Sequence, residues 1–168
     1  MNIRKARIED LEELLNIYNY EVINGISTLD LFPKTLKDWQ SWFDAHNVDN
    51  HPLYVAEVDN KAVGYATLSS YRPKEAYKTT VELSIYVAPD HRGKGVASAL
   101  MGHILDMARA MEDVHTVVSV ITADNQASVR LHQKFGFTFS GTIREVGMKF
   151  GSYRDIEMYQ LMVCAATI

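Results

Sequence analysis

The stretch from Val81 to Leu100, VELSIYVAPDHRGKGVASAL, decides the fold. Apolar residues alternate with others from Val81 to Ala88, which is typical of a β-strand. A proline and two glycines then mark a turn, and the apolar residues that follow recur at helical spacing. The stretch therefore predicts a strand, a glycine-rich turn and a helix in direct succession.

Three kinds of phosphate-binding turn compete for the glycine-rich segment. A phosphate loop of the Walker type requires G-x-x-x-x-G-K-[ST], and neither Gly93 nor Gly95 satisfies that spacing. A dinucleotide-binding turn requires G-x-G-x-x-G directly after the strand, whereas Ser98 stands at the third glycine position. The remaining interpretation is a cradle of backbone amides at the positive end of the following helix, which suits a pyrophosphate.

The rest of the chain predicts one α/β domain, residues 1–168, built on a mixed sheet. Alternating and β-branched runs favour strands, and apolar residues three or four apart favour helices. The predicted strands are 3–7, 53–58, 62–68, 81–88, 116–122, 137–142 and 155–163, and the predicted helices are 8–24, 35–43, 97–108 and 125–134. The loop at 26–33 is free to line a site.

Composition excludes several classes of function. A net charge of -4 without a basic run argues against nucleic acid as a partner. The chain has no stretch of 18 apolar residues, so no membrane contact is expected. The single cysteine, Cys164, cannot form an internal disulfide, and the charged start of the chain is unlike a signal peptide, which favours a cytoplasmic location. The six histidines lack ligand spacing, so no metal is expected.

Two motifs carry a family resemblance. The segment 92–97, RGKGVA, fits [QR]-x-x-G-x-[GA], and the segment 125–137, NQASVRLHQKFGF, follows it downstream. Together they resemble the GNAT superfamily of N-acetyltransferases, in which the first motif binds acetyl-CoA and the second approaches its pantetheine arm. Within that superfamily, the segments 71–87 and 146–155 resemble the phosphinothricin and methionine sulfoximine acetyltransferases. The resemblance extends over nearly the whole chain.

The resemblance implies a GNAT fold, acetyl-CoA as co-substrate and a small-molecule amine as substrate. It implies the cofactor-binding residues Ile85, Tyr86, Val87, Arg92, Gly93, Lys94, Gly95, Val96, Ala97, Ser98, Asn125 and Ser128. The expected substrate-binding residues are Arg72, Glu75, Ala76, Tyr77 and Lys149.

One carboxylate is suited to act as the catalytic base. Glu82, Ser84 and Tyr86 share one face of the strand 81–88, while the alternate positions are apolar. A polar face on a central strand indicates a cleft, because such strands are normally apolar on both faces. We expect Glu82 to accept the proton of the amine, directly or through a water, while the amide near Val87 polarises the thioester. The resemblance assigns the same role to this glutamate and implies direct transfer.

Two further side chains remain open to interpretation. Many GNAT enzymes carry a tyrosine at the position of His132, where it protonates the leaving thiolate; His132 either replaces that acid or packs within its helix. Arg72 is the candidate for binding a substrate carboxylate, because its guanidinium can form two parallel hydrogen bonds. Lys149 and the loop around Thr28 are weaker candidates for this contact.

The nature of the substrate and the oligomeric state also stay open. The expected substrate is a small amino acid or analogue, and the alternative is a larger amine: a peptide amino terminus, a polyamine or an aminoglycoside. A non-catalytic acyl-CoA-binding module is a third possibility. The aromatic residues Trp39, Trp42 and Phe43 belong either to the core or to the interface of a homodimer, which similar enzymes form.

Overall fold

The computed structural model describes residues 1–163 and confirms the predicted order of strands and helices. Cys164 lies outside the described residues, so the prediction that it is inert stays a prediction. The strands are β1 Asn2–Lys5, β2 Leu53–Val58, β3 Lys61–Ser70, β4 Thr80–Val87, β5 Thr116–Thr122, β6 Thr138–Lys149 and β7 Ser152–Met162. The helices are α1 Leu11–Asn24, α2 Leu36–Asp44, α3 Val96–Ala110 and α4 Gln126–Lys134.

The strands form one seven-stranded sheet in the order β1-β2-β3-β4-β5-β7-β6. All neighbouring strands are antiparallel except β4 and β5, which are parallel. The β4–β5 pairing runs from Thr80–Thr116 to Glu82–Val118, and no pair is formed beyond it within the described residues. The two strands therefore separate in the middle of the sheet, and this separation positions the site described below.

Two apolar clusters cover the two faces of the sheet. One contains the fully buried face of α3, including Leu100 and Ile104, which follows from the helical spacing of its apolar residues. The other contains Leu14 of α1, Trp39 of α2 and Tyr65 of β3. Helices therefore cover both faces of the sheet on either side of the place where β4 and β5 diverge.

Side-chain caps mark the start of two helices. Thr35 precedes α2, and its hydroxyl accepts a hydrogen bond from the amide of Asp38 at 3.2 Å, while the Asp38 carboxylate accepts from the amide of Thr35 at 3.1 Å. Asn125 also lies just outside its helix, where its side chain accepts from the amide of Ser128 at 3.2 Å.

The last two strands are longer than predicted. The predictions 137–142 and 155–163 were too short, because β6 and β7 form a long hairpin that turns at Phe150 and Gly151. The pairing shifts twice along β6, once after Phe139 and once after Ile143. Such shifts break the alternation of apolar and polar residues that identifies a strand in sequence. At the other end of the chain, β1 ends at Lys5 rather than at residue 7.

Among residues 1–163, none of the helices combines the length and apolar content needed to cross a membrane. The cytoplasmic location stays a prediction.

Candidate active site

Two cavities adjoin where β4 and β5 separate. The wide cavity, about 870 Å³, lies between β4, α2 and the loop at 27–30. The narrow cavity, about 450 Å³, lies between β4, the glycine-rich turn, α3 and α4. Residues of both strands face both spaces, and the shared lining is Ser27, Ser84, Tyr86, Val120 and Thr122. Molecules bound in the two cavities can therefore react across the separation.

The glycine-rich turn forms one end of the narrow cavity. Gly93 has φ +71° and Gly95 has φ +83°, and a Cβ atom built on either would meet no other atom within 4 Å. Such positive φ angles favour glycine, and the missing side chains leave the backbone open to a ligand. Gly95 also caps α3, whose first amides have no partner within the helix. The turn therefore presents backbone donors at the positive end of a helix.

The side chain of Arg92 fixes the position of this turn. Its guanidinium forms an ion pair with the buried carboxylate of Glu21 on α1, and its Nε donates to the carbonyl oxygen of Val87 at 3.1 Å. The side chain thus ties the turn to α1 and to the end of β4. All predicted cofactor-binding residues line the narrow cavity except Lys94, which is exposed.

The opposite side of the narrow cavity contains buried polar atoms without partners. His132 is 5% exposed, and its Nδ1 lies 2.8 Å from the carbonyl oxygen of Ser128. Because a carbonyl only accepts, Nδ1 carries the hydrogen of the neutral ring and Nε2 keeps a lone pair. Burial lowers the pKa of His132, which favours this neutral form. Its Nε2 and the Oγ of Ser119 have no hydrogen-bond partner among residues 1–163.

The wide cavity holds the predicted base. Glu82 lines it together with Ser84 and Tyr86, as expected from their shared strand face. Glu82 is half-buried, and burial raises the pKa of its carboxyl group. A carboxylate with a raised pKa binds a proton more readily than an exposed one, which is the property required of a general base.

A charged cluster on the loop after α1 also lines the wide cavity. Tyr18 donates its hydroxyl hydrogen to Asp30 Oδ2 at 2.7 Å, and Lys34 Nζ lies 2.9 Å from the same oxygen. Desolvation favours a higher pKa for Asp30, but the hydrogen bonds from Tyr18 and Lys34 outweigh it and hold the pKa below its usual range. The expectation that the loop at 26–33 is free to line a site is met here, and it brings Asp30 and Lys34, which were not predicted from the sequence, into the cavity wall.

Aromatic side chains close the inner wall of the wide cavity. Trp39 stacks on Trp42 with ring centroids 4.4 Å apart, and Tyr65 meets Trp42 edge-on at 5.8 Å. Trp39 and Tyr65 are buried, and Trp39 Nε1 and the Tyr65 hydroxyl have no hydrogen-bond partner among residues 1–163. Trp39 therefore belongs to the core, whereas Trp42 and Phe43 are half-buried. The homodimer stays a prediction.

The predicted substrate-binding segment lies beside the wide cavity rather than in its wall. Arg72, Glu75, Ala76 and Tyr77 belong to the loop between β3 and β4, and none of them lines either cavity. The Arg72 guanidinium lies 5.1 Å and 5.9 Å from the ring centroids of Tyr71 and Tyr77. Ser69 pairs with Glu82 at the start of this loop, so the loop borders the end of the wide cavity that contains Glu82.

Lys149 has a different environment from the one expected. It is 3% exposed, and its Nζ donates to the carbonyl oxygens of Glu21 at 3.1 Å and Thr28 at 2.8 Å. Its side chain lines neither cavity and instead fastens the loop that carries Thr28 and Asp30.

Comparison with known proteins agrees with these motifs. The model of the acetyltransferase (GNAT) family matches residues 9–137. This chain belongs to the GNAT family. It is 38% identical to an L-methionine sulfoximine/L-methionine sulfone acetyltransferase of Pseudomonas paraeruginosa, over 95% of this chain and 93% of that protein. It is 41% identical to a phosphinothricin N-acetyltransferase of Streptomyces coelicolor, over 95% of each chain.

A solved structure shows the same fold with the co-substrate. The GNAT phosphinothricin acetyltransferase of Sinorhizobium meliloti, in complex with acetyl-CoA, has a TM-score of 0.92 and 30% identity, covering 96% of this chain and 87% of that one. This GNAT chain is therefore an acetyl-CoA-dependent N-acetyltransferase, an enzyme rather than a non-catalytic binding module. The predicted GNAT fold is also confirmed.

The narrow cavity of this GNAT enzyme fits acetyl-CoA. The open turn at Gly93 and Gly95 suits the pyrophosphate, and the unpartnered atoms of Ser119 and His132 suit the amides of the pantetheine arm. The co-substrate supplies an activated acetyl group as a thioester. Within residues 1–163, no group of three or more His, Cys, Asp or Glu side chains is placed to hold a metal ion.

Proposed function

We propose that the enzyme transfers acetyl from acetyl-CoA to the primary amine of a small amino acid or analogue, of the methionine sulfoximine, methionine sulfone or phosphinothricin type. The observation that carries this proposal is the position of Glu82, a carboxyl group with a raised pKa in a cavity that adjoins the cofactor cavity. The names of the related proteins support the substrate class.

The proposed chemistry is a direct transfer. An α-amino group has a pKa of about 8, so most of it is protonated at neutral pH. Glu82 accepts one proton, directly or through a water, and the neutral amine attacks the thioester carbon. The carbon–nitrogen bond forms, and the carbon–sulfur bond breaks as the thiolate leaves with its electron pair. The nitrogen loses a second proton to become an amide, and this proton passes to the departing thiolate, directly or through water. The amide near Val87 stabilises the negative charge that develops on the carbonyl oxygen.

The thiolate leaves without help from His132 in this proposal. A neutral ring whose Nδ1 hydrogen is bonded to Ser128 has no hydrogen to offer from Nε2. Acid assistance is also of limited value, because a thiol with a pKa of about 8.5 is already a good leaving group. We therefore assign His132 to holding the pantetheine arm as a hydrogen-bond acceptor.

The loop between β3 and β4 is proposed to hold the substrate carboxylate. Arg72 is exposed at the border of the wide cavity, stacked against two tyrosine rings that limit its freedom. Closing this loop over the cavity would bring its guanidinium to the carboxylate, with Tyr77 and the backbone of Glu75 and Ala76 covering the substrate. Lys149 is proposed to act without touching the substrate, by fixing the loop that carries Thr28.

A second candidate is acetylation of a larger, positively charged amine. The specific observation is that three carboxylates line the wide cavity, namely Asp30, Asp38 and Glu82, against the single ammonium of Lys34 among the lining residues described. A polyamine or an aminoglycoside would complement this charge. The related proteins named for amino-acid analogues make it the second choice.

We also propose a homodimer, formed through β6 rather than through the aromatic helix. β6 is the edge strand of the sheet, and it exposes Phe139 (56%), Ile143 (45%), Val146 (49%) and Met148 (52%). An edge strand with several exposed apolar side chains is a site for pairing with another chain. A second copy would cover this edge and the side of the wide cavity that Val146 lines.

The test is release of free thiol from acetyl-CoA with methionine sulfoximine, methionine sulfone, phosphinothricin, a peptide, spermidine and an aminoglycoside. We expect turnover confined to the amino-acid analogues, and a rise of about tenfold or more in their KM in Arg72→Ala because a charged hydrogen bond is lost. The matched control is Arg109→Ala, which removes an exposed arginine of α3 that lines neither cavity. Turnover of spermidine or the aminoglycoside, without turnover of any amino-acid analogue, would contradict the proposal and support the second candidate.

A further inference from the structure

Ser69 lies beside Glu82 in the wall of the wide cavity. The two residues are register partners on the antiparallel strands β3 and β4, and both line the cavity. Directly opposed residues of antiparallel strands project from the same face of the sheet, with Cβ atoms about 4.5–5.5 Å apart. Ser69 is half-buried rather than enclosed. A ligand that contacts the Glu82 carboxylate from the cavity therefore lies near Ser69 Oγ as well.

A buried histidine fixes the hydroxyl hydrogen of Ser69. His46 is 7% exposed, its Nδ1 lies 2.6 Å from the carbonyl oxygen of Trp42, and its Nε2 lies 2.9 Å from Ser69 Oγ. Because a carbonyl only accepts, Nδ1 carries the hydrogen of the neutral ring, and Nε2 accepts from the Ser69 hydroxyl. Burial lowers the pKa of His46, which favours this neutral form.

The end of α2 holds the His46 ring in this orientation. Trp42 belongs to the last turn of the helix, where carbonyl oxygens are available to donors from outside it. The indole ring of Trp42 also packs against the imidazole, with ring centroids 4.5 Å apart. The chain of hydrogen bonds therefore runs in one direction, from the Ser69 hydroxyl to His46 and from His46 to the backbone of α2.

We propose that Ser69 Oγ accepts a hydrogen bond from the amine of the substrate, and that His46 is a positioning residue that keeps the Ser69 hydroxyl hydrogen out of the cavity. A serine oxygen whose own hydrogen is bound elsewhere has only lone pairs to offer. An amine or ammonium group supplies the matching N–H donors. Ser69 and Glu82 then hold the nitrogen from two neighbouring strands. This inference rests on the proposed function and names a further contact of its substrate.

The first arm of the test compares methionine sulfone with the same acid without its amino group, used as a competitive inhibitor. Ser69→Ala should raise the KM for methionine sulfone about tenfold or more, because a hydrogen bond to a charged group is lost. The Ki of the inhibitor should stay at the parental value, because it has no amine to lose. A purely structural role of Ser69 would raise both constants by the same factor. Ser41→Ala, at an exposed position of α2 that lines neither cavity, is the control.

The second arm tests whether His46 acts through Ser69. His46→Phe keeps a ring against Trp42 but removes both nitrogens, so the Ser69 hydrogen is free to turn into the cavity. The KM for methionine sulfone should rise about threefold to tenfold. His46→Gln keeps an oxygen that can accept the Ser69 hydrogen, so this variant should stay near the parental KM. In the double variant with Ser69→Ala, His46→Phe should add nothing further, because its effect requires the Ser69 hydroxyl.

The outcomes separate this inference from the proposed function. An unchanged KM in Ser69→Ala, an equal rise in KM and Ki, or additive effects of Ser69→Ala and His46→Phe would overturn the inference and keep the proposed function. Absence of turnover with every amino acid, in a protein that binds acetyl-CoA, would overturn the proposed function itself. If spermidine is turned over instead, the same variants are compared with spermidine as the substrate.

Discussion

Replacing Gly93 by alanine tests whether the turn before α3 binds the pyrophosphate of acetyl-CoA. At φ +71° an L-residue costs about 1–2 kcal/mol, and the new Cβ meets no atom within 4 Å, so no clash adds to this cost. The free energy of unfolding should therefore fall by about 1–2 kcal/mol, equivalent to about 2–4 °C in Tm for each kcal/mol. In addition, the methyl group stands where the pyrophosphate must approach the backbone. Loss of one hydrogen bond to a charged group would raise the Kd for acetyl-CoA about tenfold to a hundredfold.

Gly151→Ala is a matched control for the backbone cost. Gly151 also has φ +71° and open space around its missing Cβ, but it lies in the turn between β6 and β7 and lines neither cavity. Thermal denaturation should show the same loss of stability in both variants, and titration calorimetry should show weaker acetyl-CoA binding in Gly93→Ala alone. Equal Kd values for acetyl-CoA in the two variants would refute the assignment of the turn at Gly93 as the pyrophosphate-binding site.

Three further predictions concern stability, assembly and pH. Lys149→Met leaves the carbonyls of Glu21 and Thr28 without their donor, so denaturant titration should show a loss of about 1–3 kcal/mol; parental stability would contradict this role. Ile143→Asp places a charge on the exposed apolar edge of β6, so sedimentation should show a monomer for this variant, whereas we expect the proposed homodimer for the parent. Because the pKa of Glu82 is raised by burial, the folded state holds this proton more tightly than the unfolded state, and stability falls as pH rises through the raised pKa. The Tm advantage of Glu82→Gln over the parent should therefore grow with pH, and an advantage independent of pH would contradict the shift.

The part of the site on β4 and α3 could be predicted because its signals are local. Alternation places Glu82, Ser84 and Tyr86 on one face, and two glycines before a helix predict open backbone amides. Both features depend on residues that are close in sequence, so tertiary packing does not change them. The same holds for the Thr35 and Asn125 helix caps.

The part of the site on other elements depends on tertiary structure. Tyr18 belongs to the apolar stripe of α1, and its hydrogen bond to Asp30 arises because the following loop folds back over the helix. Lys149 is an ordinary lysine in sequence, and its burial follows from the length of the β6–β7 hairpin. The full length of β6 could not be predicted from alternating residues, because the pairing shifts along the strand interrupt that alternation. Arg72 was predicted from the chemistry of its guanidinium and from the family resemblance of the segment 71–87, and it lies on the loop that borders the wide cavity.

The catalytic role of Glu82 is tested most directly by Glu82→Gln, with turnover and acetyl-CoA binding measured on the same preparation. We predict that kcat falls by about a hundredfold to ten-thousandfold, the usual contribution of a general base, while the Kd for acetyl-CoA stays at the parental value. Glu112→Gln, at an exposed position between α3 and β5, is the control and should leave both quantities unchanged. Parental turnover in Glu82→Gln would contradict the assignment of this carboxylate as the base.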